Sequence, residues 1–360
     1  MTGDTQSGDR GSAVATAMPH GTAAASPGAG QAPHPGTLLG LNFGFARARV
    51  LGTALELDVF TELADGPLRD EELASVLHCD AEALTRLLNA LVDLGLLTGD
   101  ESTGRRCTPL AAEYLIRGRP GDLSAHFAEV LGQWDEWARL TETLRTGARR
   151  SRLGAPQQRG QQPGMFAGTY PVAAPVAAEV VAGLGLGPVG RVLDHTAGSG
   201  EWGIALAASD PAAEVTVHDV PELLDIARCH VRRSSVATDR FSFVSGDFGP
   251  RQPFPDDTFD TVVMANAGRF AAPEEAARML DRCVRMLRPH GTLLFADVMR
   301  TGDVGPGQPR AMIDLSLLVN TAQGGLRSPQ ECRAAMEHAG LVPKKTITQG
   351  LTTALTGQRR

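Results

Sequence analysis

The chain has 360 residues, enough for two ordinary domains, and 42% of them are hydrophobic against 21% charged. This composition is typical of a globular protein with a sizeable core and excludes a largely disordered one. Acidic residues outnumber basic ones by 41 to 34, and the formal charge of −7 argues against nucleic acid or an anionic membrane as a partner.

The five cysteines are scattered without paired spacing. The sequence therefore predicts neither a disulfide framework nor a metal site, and it favours reduced thiols in the cytoplasm. No apolar run reaches membrane-spanning length, and the N-terminus has no basic start followed by an apolar stretch. We expect no membrane partner.

The predicted elements begin after an N-terminal tail. Residues 1–36 are mostly Gly, Ser, Ala, Thr and Pro without hydrophobic periodicity, so we predict disorder there. From Leu38 to about Phe60 an Ala- and Leu-rich segment suits one buried helix. That segment is too apolar to be the surface of a monomer, which predicts a homodimer.

The pattern over residues 37–118 predicts a winged-helix domain. A short helix over residues 67–77 precedes a second helix with Asp80 as its N-cap and leucines at helical spacing, and a two-stranded wing follows. DNA recognition is one interpretation of such a module. Arg86 is the only base on the second helix, whereas a helix that reads a DNA groove needs several donors. We therefore favour a role in packing or dimerisation.

Residues 119–185 are interpreted as linking helices and a substrate-pocket segment. A helix pair is predicted from about Leu123 to Thr146, and a polar stretch over residues 148–164 predicts an exposed loop.

A different pattern extends from residue 186 to the C-terminus, where short apolar runs alternate with helical stretches. The predicted strands are RVLDHT (191–196), EVTVHDV (214–220), FSFVSGD (241–247), FDTVVMANA (259–267) and GTLLFADV (291–298).

Such alternation predicts an α/β fold with a doubly wound parallel sheet. The last two apolar runs, over residues 341–349 and 351–358, predict a C-terminal antiparallel hairpin. In sheets of this kind the ligand binds at the carboxyl ends of the strands. The first turn there, from Gly198 to Gly203, fits a GxGxxG pattern, and Asp219 follows Gly200 by nineteen positions. The pattern alone leaves NAD, FAD and S-adenosylmethionine (SAM) open.

Two further features favour SAM. Asp194 stands at the end of the first strand, where its carboxylate would repel a pyrophosphate but suits a cationic amino acid or a sulfonium. Asp247 and Phe248 follow the third strand, where they can take the adenine amino group and cover the ring. The predicted cofactor-binding residues are Asp194, Gly198, Gly200, Asp219, Val220, Asp247, Phe248 and Asn266.

The order of these motifs resembles a known family. A winged-helix module followed by DxxxGSG, HDVP, GDF and LRPHGTLLFADV is similar to the class I SAM-dependent small-molecule O-methyltransferases of plants and actinobacterial natural-product pathways, from about Leu38 to the C-terminus. The resemblance implies a Rossmann-like methyltransferase domain, SAM as cofactor and an intertwined helical homodimer. It also implies a small-molecule substrate held between the N-terminal and SAM domains.

The chain departs from the family pattern at two places. Thr196 and Ala197 stand where the family usually or often has glycine, and Arg269 stands where the family carries its catalytic histidine. Arginine keeps its proton at any working pH, so Arg269 occupies the predicted catalytic position without being a general base. His195 is a tempting replacement, but strand alternation turns it away from Asp194 and favours a structural role.

The last predictions concern the remaining histidines and the segment expected to line the substrate pocket. His218, His230 and His290 are interpreted as surface or cap positions. The resemblance implies that residues around Met165 and Tyr170 pack near SAM and substrate, and that Arg327 lies close to the active site. The predicted substrate-binding residues are His126, Met165, Tyr170 and Arg327.

Three hypotheses follow for function. The first is methyl transfer from SAM to an oxygen of an aromatic or polyketide-like secondary metabolite. The second is an enzyme that retains SAM but catalyses a hydroxylation, a decarboxylation or a pericyclic rearrangement, as the replaced histidine would suggest. The third is a ligand-sensing regulator that uses the winged helix on DNA, against which the acidic second helix counts.

Overall fold

The computed structural model describes residues 35–149, 163–246, 253–302 and 309–360. The chain divides into two compact units, the first ending at Ala112 and the second beginning at Glu113. The finer division into four segments stays a prediction. The predicted disordered tail lies outside the described residues except for its last two.

The first unit is helical with a small two-stranded sheet, as the winged-helix interpretation expects. The antiparallel wing pairs Leu97 with Cys107 and Thr98 with Arg106. The elements are α1 (Gly36–Asn42), α2 (Gly44–Glu56), α3 (Val59–Glu62), α4 (Asp70–Leu77), α5 (Ala81–Asp93), β1 (Leu97–Thr98), β2 (Arg106–Cys107) and α6 (Pro109–Tyr114), within which the unit ends.

Helix α5 begins where the sequence predicts it. The Asp80 side chain accepts a hydrogen bond from the Ala83 N–H at 2.8 Å, so one of the unpaired amides of the first turn is satisfied. Leu84, Leu88 and Leu91 are buried on its inner face. Their spacing is what fixes the helix against its neighbours.

The segment from Leu38 to Phe60 was predicted as one buried helix, and that prediction is wrong. It forms three helices, and α2 and α3 are separated where Asp58 takes a left-handed backbone conformation (φ 62°). Its N-terminal part is not buried in the single chain. Leu38, Leu39, Leu41, Phe43 and Phe45 are 43–69% exposed, which leaves an apolar surface of the kind that marks an interaction site.

The second unit carries the sheet. Its helices are α7 (Ser124–Leu131), α8 (Trp134–Ala138), α9 (Leu140–Thr146), α10 (Pro163–Ala167), α11 (Tyr170–Leu184), α12 (Glu201–Ser209), α13 (Pro221–Arg233), α14 (Pro273–Met286), α15 (Arg310–Asn320) and α16 (Pro329–His338). Its strands are β3 (Arg191–His195), β4 (Glu214–Asp219), β5 (Phe241–Ser245), β6 (Phe259–Ala265), β7 (Leu287–Val298), β8 (Leu341–Gln349) and β9 (Thr352–Arg359). Three short helices, not a pair, occupy the predicted linking segment.

The seven strands form one mixed sheet in the order β5-β4-β3-β6-β7-β9-β8. The first five are parallel, and β9 and β8 add the predicted antiparallel hairpin. One apolar core packs between the sheet and α11, α12 and α13, and a second packs between the sheet and α14 and α16. The Rossmann-like fold class is confirmed.

The strand order reverses at β3, which lies between β4 and β6. In a doubly wound sheet this switch point opens a crevice at the carboxyl ends of the strands. The predicted cofactor-binding residues that the structure describes lie at or just after the ends of β3, β4 and β6, so the topology brings them to one edge. No helix of the described residues is long and apolar enough to cross a membrane.

Candidate functional site

The turn after β3 is built from left-handed backbone. Thr196, Gly198 and Gly200 have φ values of 67°, 58° and 83°. At Gly198 a Cβ atom would lie 3.2 Å from the ring of Phe166, so glycine is required both by conformation and by the close approach of another group. Thr196 holds the same region with a β-branched side chain, whose hydroxyl donates to the Ala265 carbonyl at 3.1 Å.

Asp219 ties this turn to the end of β4. Its side chain is fully buried, and Oδ2 accepts a hydrogen bond from the Gly198 N–H at 2.8 Å. Oδ1 accepts from the Val220 N–H at 2.8 Å. The structure therefore brings Gly198, Asp219 and Val220 together, and the carboxylate is held at the strand end where a ribose diol can donate to it.

Asp194 lies beneath the same turn with no exposed surface. Its Oδ2 accepts from the Gly203 N–H at 2.8 Å, whereas Oδ1 has no hydrogen-bond partner among the described residues. Burial raises the pKa of Asp194 to about 8, with the nearby charges of Glu201 and Asp219 adding to the effect. A buried carboxyl group with a spare acceptor among other acids suits a ligand that brings positive charge.

Arg269 follows β6 in a short 3-10 turn and forms an ion pair with Asp297 of β7. Its Nη1 donates to Asp297 Oδ1 and, at 2.9 Å, to Asn266 Oδ1, while its backbone N–H donates to Asp297 Oδ2 at 3.0 Å. The guanidinium also lies 4.5 Å from the centre of the Phe270 ring. Asp297 was not predicted, although the pairing of β6 with β7 brings the two loops together.

Arg327 forms hydrogen bonds with the backbone of the turn that carries Arg269. Its guanidinium donates to the Gly268 carbonyl and, at 2.9 Å, to the Ala271 carbonyl. The Gly325 N–H donates to the Arg269 carbonyl at 2.9 Å. The predicted substrate-binding residue Arg327 thus holds the backbone that carries Arg269; its contact with a substrate stays a prediction.

The predicted substrate segment packs over the glycine turn. His126 of α7 contacts the Met165 carbonyl of α10 through Nδ1 at 3.3 Å, and burial lowers the pKa of His126. Tyr170 stacks on His230 of α13, with ring centres 3.7 Å apart and an interplanar angle of 15°. Phe166 lies above Gly198. Met165 and His126 are therefore held by each other, while Tyr170 lies toward the glycine turn.

Two histidine predictions need correction. His218 is completely buried, and its ring stacks on that of His195 at 4.9 Å because the two residues are in register on β3 and β4. His230 is half-buried, and its Nδ1 contacts the Ser199 carbonyl at 2.9 Å, so it supports the glycine turn. His290 is exposed, in agreement with the prediction. Asp247 and Phe248, predicted to contact adenine, lie outside the described residues.

Comparisons with known proteins agree with the two-part architecture. Residues 192–291 match the family model of a methyltransferase domain, and residues 39–117 match that of an O-methyltransferase dimerisation domain. The chain is 29% identical to the tetracenomycin polyketide synthesis 8-O-methyl transferase TcmO of Streptomyces glaucescens, over 87% of this chain and 93% of that protein.

The chain is also 27% identical to 3-hydroxy-5-methyl-1-naphthoate 3-O-methyltransferase of Streptomyces sahachiroi, over 83% of this chain and 88% of that protein. Among solved structures it is similar to human N-acetylserotonin methyltransferase in complex with SAM, with a TM-score of 0.76 and 20% identity over 92% of this chain and 99% of that one.

Proposed function

Because this chain belongs to the SAM-dependent O-methyltransferases with an N-terminal dimerisation domain, we propose that it methylates an oxygen of an aromatic or polyketide-like secondary metabolite. The observation that carries the proposal is the buried Asp219 carboxylate, held by the N–H groups of Gly198 and Val220 at the switch point of the sheet. The relatives named for a polyketide and a naphthoate support this substrate class.

The residues at the glycine turn fit SAM. In this proposal Asp219 binds the ribose hydroxyls, and Gly198 and Gly200 let the backbone approach the cofactor closely. Asp194 binds the positive charge of the cofactor through Oδ1, which has no hydrogen-bond partner among the described residues. When bound, SAM supplies a methyl group on a cationic sulfur that an oxygen nucleophile can attack. Holding the two reactants in line contributes roughly 7–11 kcal/mol to lowering the barrier.

The presence of arginine at position 269 restricts how acidic the acceptor hydroxyl must be. A guanidinium keeps its proton, and Asp297 already accepts hydrogen bonds from Arg269 and from the Val298 N–H. The guanidinium therefore cannot act as a general base, and Asp297 is engaged in holding it. We propose that Arg269 orients the acceptor oxygen and that the acceptor is acidic enough, as a phenol in a conjugated polyketide is, to react as its anion.

The Arg269–Asp297 ion pair also favours a second candidate, an enzyme that holds SAM while catalysing a non-methylating reaction. A missing general base costs methyl transfer typically ~10²–10⁴ in rate, so the site is poorly equipped for a weakly acidic acceptor. The two candidates differ in the fate of the cofactor. Methyl transfer converts one SAM to S-adenosylhomocysteine per turnover, whereas the alternative leaves SAM unchanged.

The test is incubation of the full-length protein with SAM and a panel of hydroxylated aromatic polyketides graded by hydroxyl acidity. Mass spectrometry follows the methylated acceptor and S-adenosylhomocysteine together. We expect both products in equal amounts, with rates that rise as the hydroxyl becomes more acidic. The Asp219→Asn variant is the control. Conversion of an acceptor with SAM unconsumed would instead establish the second candidate.

For assembly, we propose a homodimer formed through the first unit and acting in the cytoplasm. The match of residues 39–117 to a dimerisation domain supports the dimer, as do the exposed apolar side chains between Leu38 and Phe45. The five cysteines all lie among the described residues and form no disulfide bond there, as a reducing compartment allows.

A further inference from the structure

A cleft on the opposite side of the sheet from the glycine turn has no role in the function described so far. It lies between α14 and α16, beside β7. Strand alternation places Phe295 and Asp297 on the face of β7 that meets these helices, whereas Asp194 of β3 contacts α12 on the other face. The cleft has an empty volume of about 390 Å³. Clefts that bind small molecules have volumes of roughly 300–1,000 Å³, so this one has room for a single small ring.

The walls of the cleft are apolar. Leu280, Phe295 and Met336 line it with side chains that are otherwise buried. Ala276 of α14 and Ala335 of α16 contribute only methyl groups, which leaves the space between the two helices unfilled. A phenylalanine ring and a methionine thioether both make favourable contacts with an aromatic ring. The walls therefore suit a planar aromatic molecule.

Arg327 brings positive charge to these apolar walls. Its guanidinium donates to the main-chain carbonyls of Gly268 and Ala271, and neither partner is a carboxylate. A guanidinium has five N–H groups, so donors remain after these two hydrogen bonds. Within the part of the chain that the structure describes, Arg327 forms no ion pair.

The carboxylates of this region are already paired with other arginines. Asp297 and Glu331 are the two whose charges act here together with that of Arg327. Asp297 forms its ion pair with Arg269, and Glu331 forms one with Arg300 at 3.0 Å. Three arginines thus share two carboxylates, and the charge of Arg327 is the one left without a partner of its own.

We propose that this cleft binds a small aromatic carboxylate, with its ring against Phe295 and Met336 and its carboxylate hydrogen-bonded to the Arg327 guanidinium. The planar fork of an arginine matches a carboxylate, which can accept two parallel hydrogen bonds from it. A neutral ring uses the apolar walls alone and leaves the charge of Arg327 unmatched. The site is separate from the cofactor site, because the sheet lies between the two.

The test uses 4-fluorobenzoate as the probe and 4-fluorobenzamide as its uncharged counterpart, both followed by fluorine NMR with the full-length protein. We expect the carboxylate to bind at least about tenfold more tightly than the amide, because hydrogen bonds between charged groups are the stronger ones. Ala335→Phe, which fills the cleft, should abolish binding of both molecules. Ala334→Phe is the matched control, since Ala334 is the exposed neighbour on α16 and does not line the cleft. Arg327→Gln should remove the preference for the carboxylate.

Each outcome decides the proposal. If Ala335→Phe binds 4-fluorobenzoate within about twofold of Ala334→Phe, the ligand is not in the cleft and the proposal is wrong. Equal affinities of the unchanged protein for the carboxylate and the amide, or no binding of either, would also overturn it. So would binding that is lost in Arg269→Gln and kept in Ala335→Phe, because the ligand would then lie at the proposed acceptor position. The titrations contain neither SAM nor an acceptor, so failure of this proposal leaves the proposed function standing.

Discussion

Replacing Asp194 by asparagine should change how the stability of the second unit depends on pH. Burial raises the pKa of Asp194 from 3.8 to about 8 in the folded chain. A carboxyl with a raised pKa binds its proton more tightly in the folded state, so it favours folding at low pH. That contribution is lost as pH rises from about 4 toward about 8. Asparagine does not titrate and is nearly isosteric.

The size of the effect follows from linkage. Each pKa unit corresponds to about 1.4 kcal/mol, so the free energy of unfolding of the unchanged protein should fall by up to about 1.4 kcal/mol per pH unit within this window. Between about pH 5 and about pH 8 the asparagine variant should therefore gain up to ~4 kcal/mol relative to the unchanged protein. Titrating groups distant from Asp194 are common to both proteins and cancel in the difference.

Urea unfolding followed by tryptophan fluorescence measures this difference. Trp134, Trp137 and Trp202 are the three tryptophans, and all lie in the second unit, so the signal reports on the unit that contains Asp194. Asp225→Asn is the matched control, because its carboxylate on α13 is 85% exposed. Parallel stability curves for Asp194→Asn and the unchanged protein across this pH range would refute the assignment of a buried, protonated carboxyl.

Three further predictions concern binding, assembly and the catalytic position. Asp219→Asn should lower SAM affinity about tenfold or more in calorimetry, because a charged contact to the ribose is lost, whereas Asp225→Asn should not change it. The double substitution Leu41→Asp and Phe45→Asp should convert a dimer into a monomer in light scattering, while deletion of residues 1–34 should leave the dimer intact; a dimer that survives the double substitution would place the interface elsewhere. Arg269→His should not increase methyl transfer to an acidic acceptor. A rise of about a hundredfold with a new titration near about pH 6.5 would instead identify a methyltransferase site that lost its base.

The sheet and the glycine turn were predictable from local pattern. Apolar runs of strand length separated by helical stretches leave few arrangements other than a doubly wound sheet, and the turn after β3 needs glycine wherever backbone and ligand meet closely. The N-cap at Asp80 was predictable for the same reason, since the capping contact spans only three residues.

The sequence did not predict three features: the burial of His218, the break between α2 and α3, and the pairing of Arg269 with Asp297. Nothing local to His218 indicates burial, which depends on its register with His195 across two strands. The break between α2 and α3 depends on the left-handed backbone of Asp58, a residue type that tolerates this conformation without requiring it. Asp297 lies 28 positions from Arg269, and only the adjacency of β6 and β7 makes them partners.

The hydrogen bonds that hold the turn carrying Arg269 have a consequence for how such enzymes diversify. Arg327 holds the carbonyls of Gly268 and Ala271, and Gly325 holds the carbonyl of Arg269, so each of these contacts is made to main-chain oxygen. These three hydrogen bonds do not use the side chain at position 269. A single substitution at position 269 would therefore place a different side chain on a turn that keeps its position. On the proposal that Arg269 orients the acceptor, such a substitution would change the group that the acceptor meets without rebuilding the backbone of the turn.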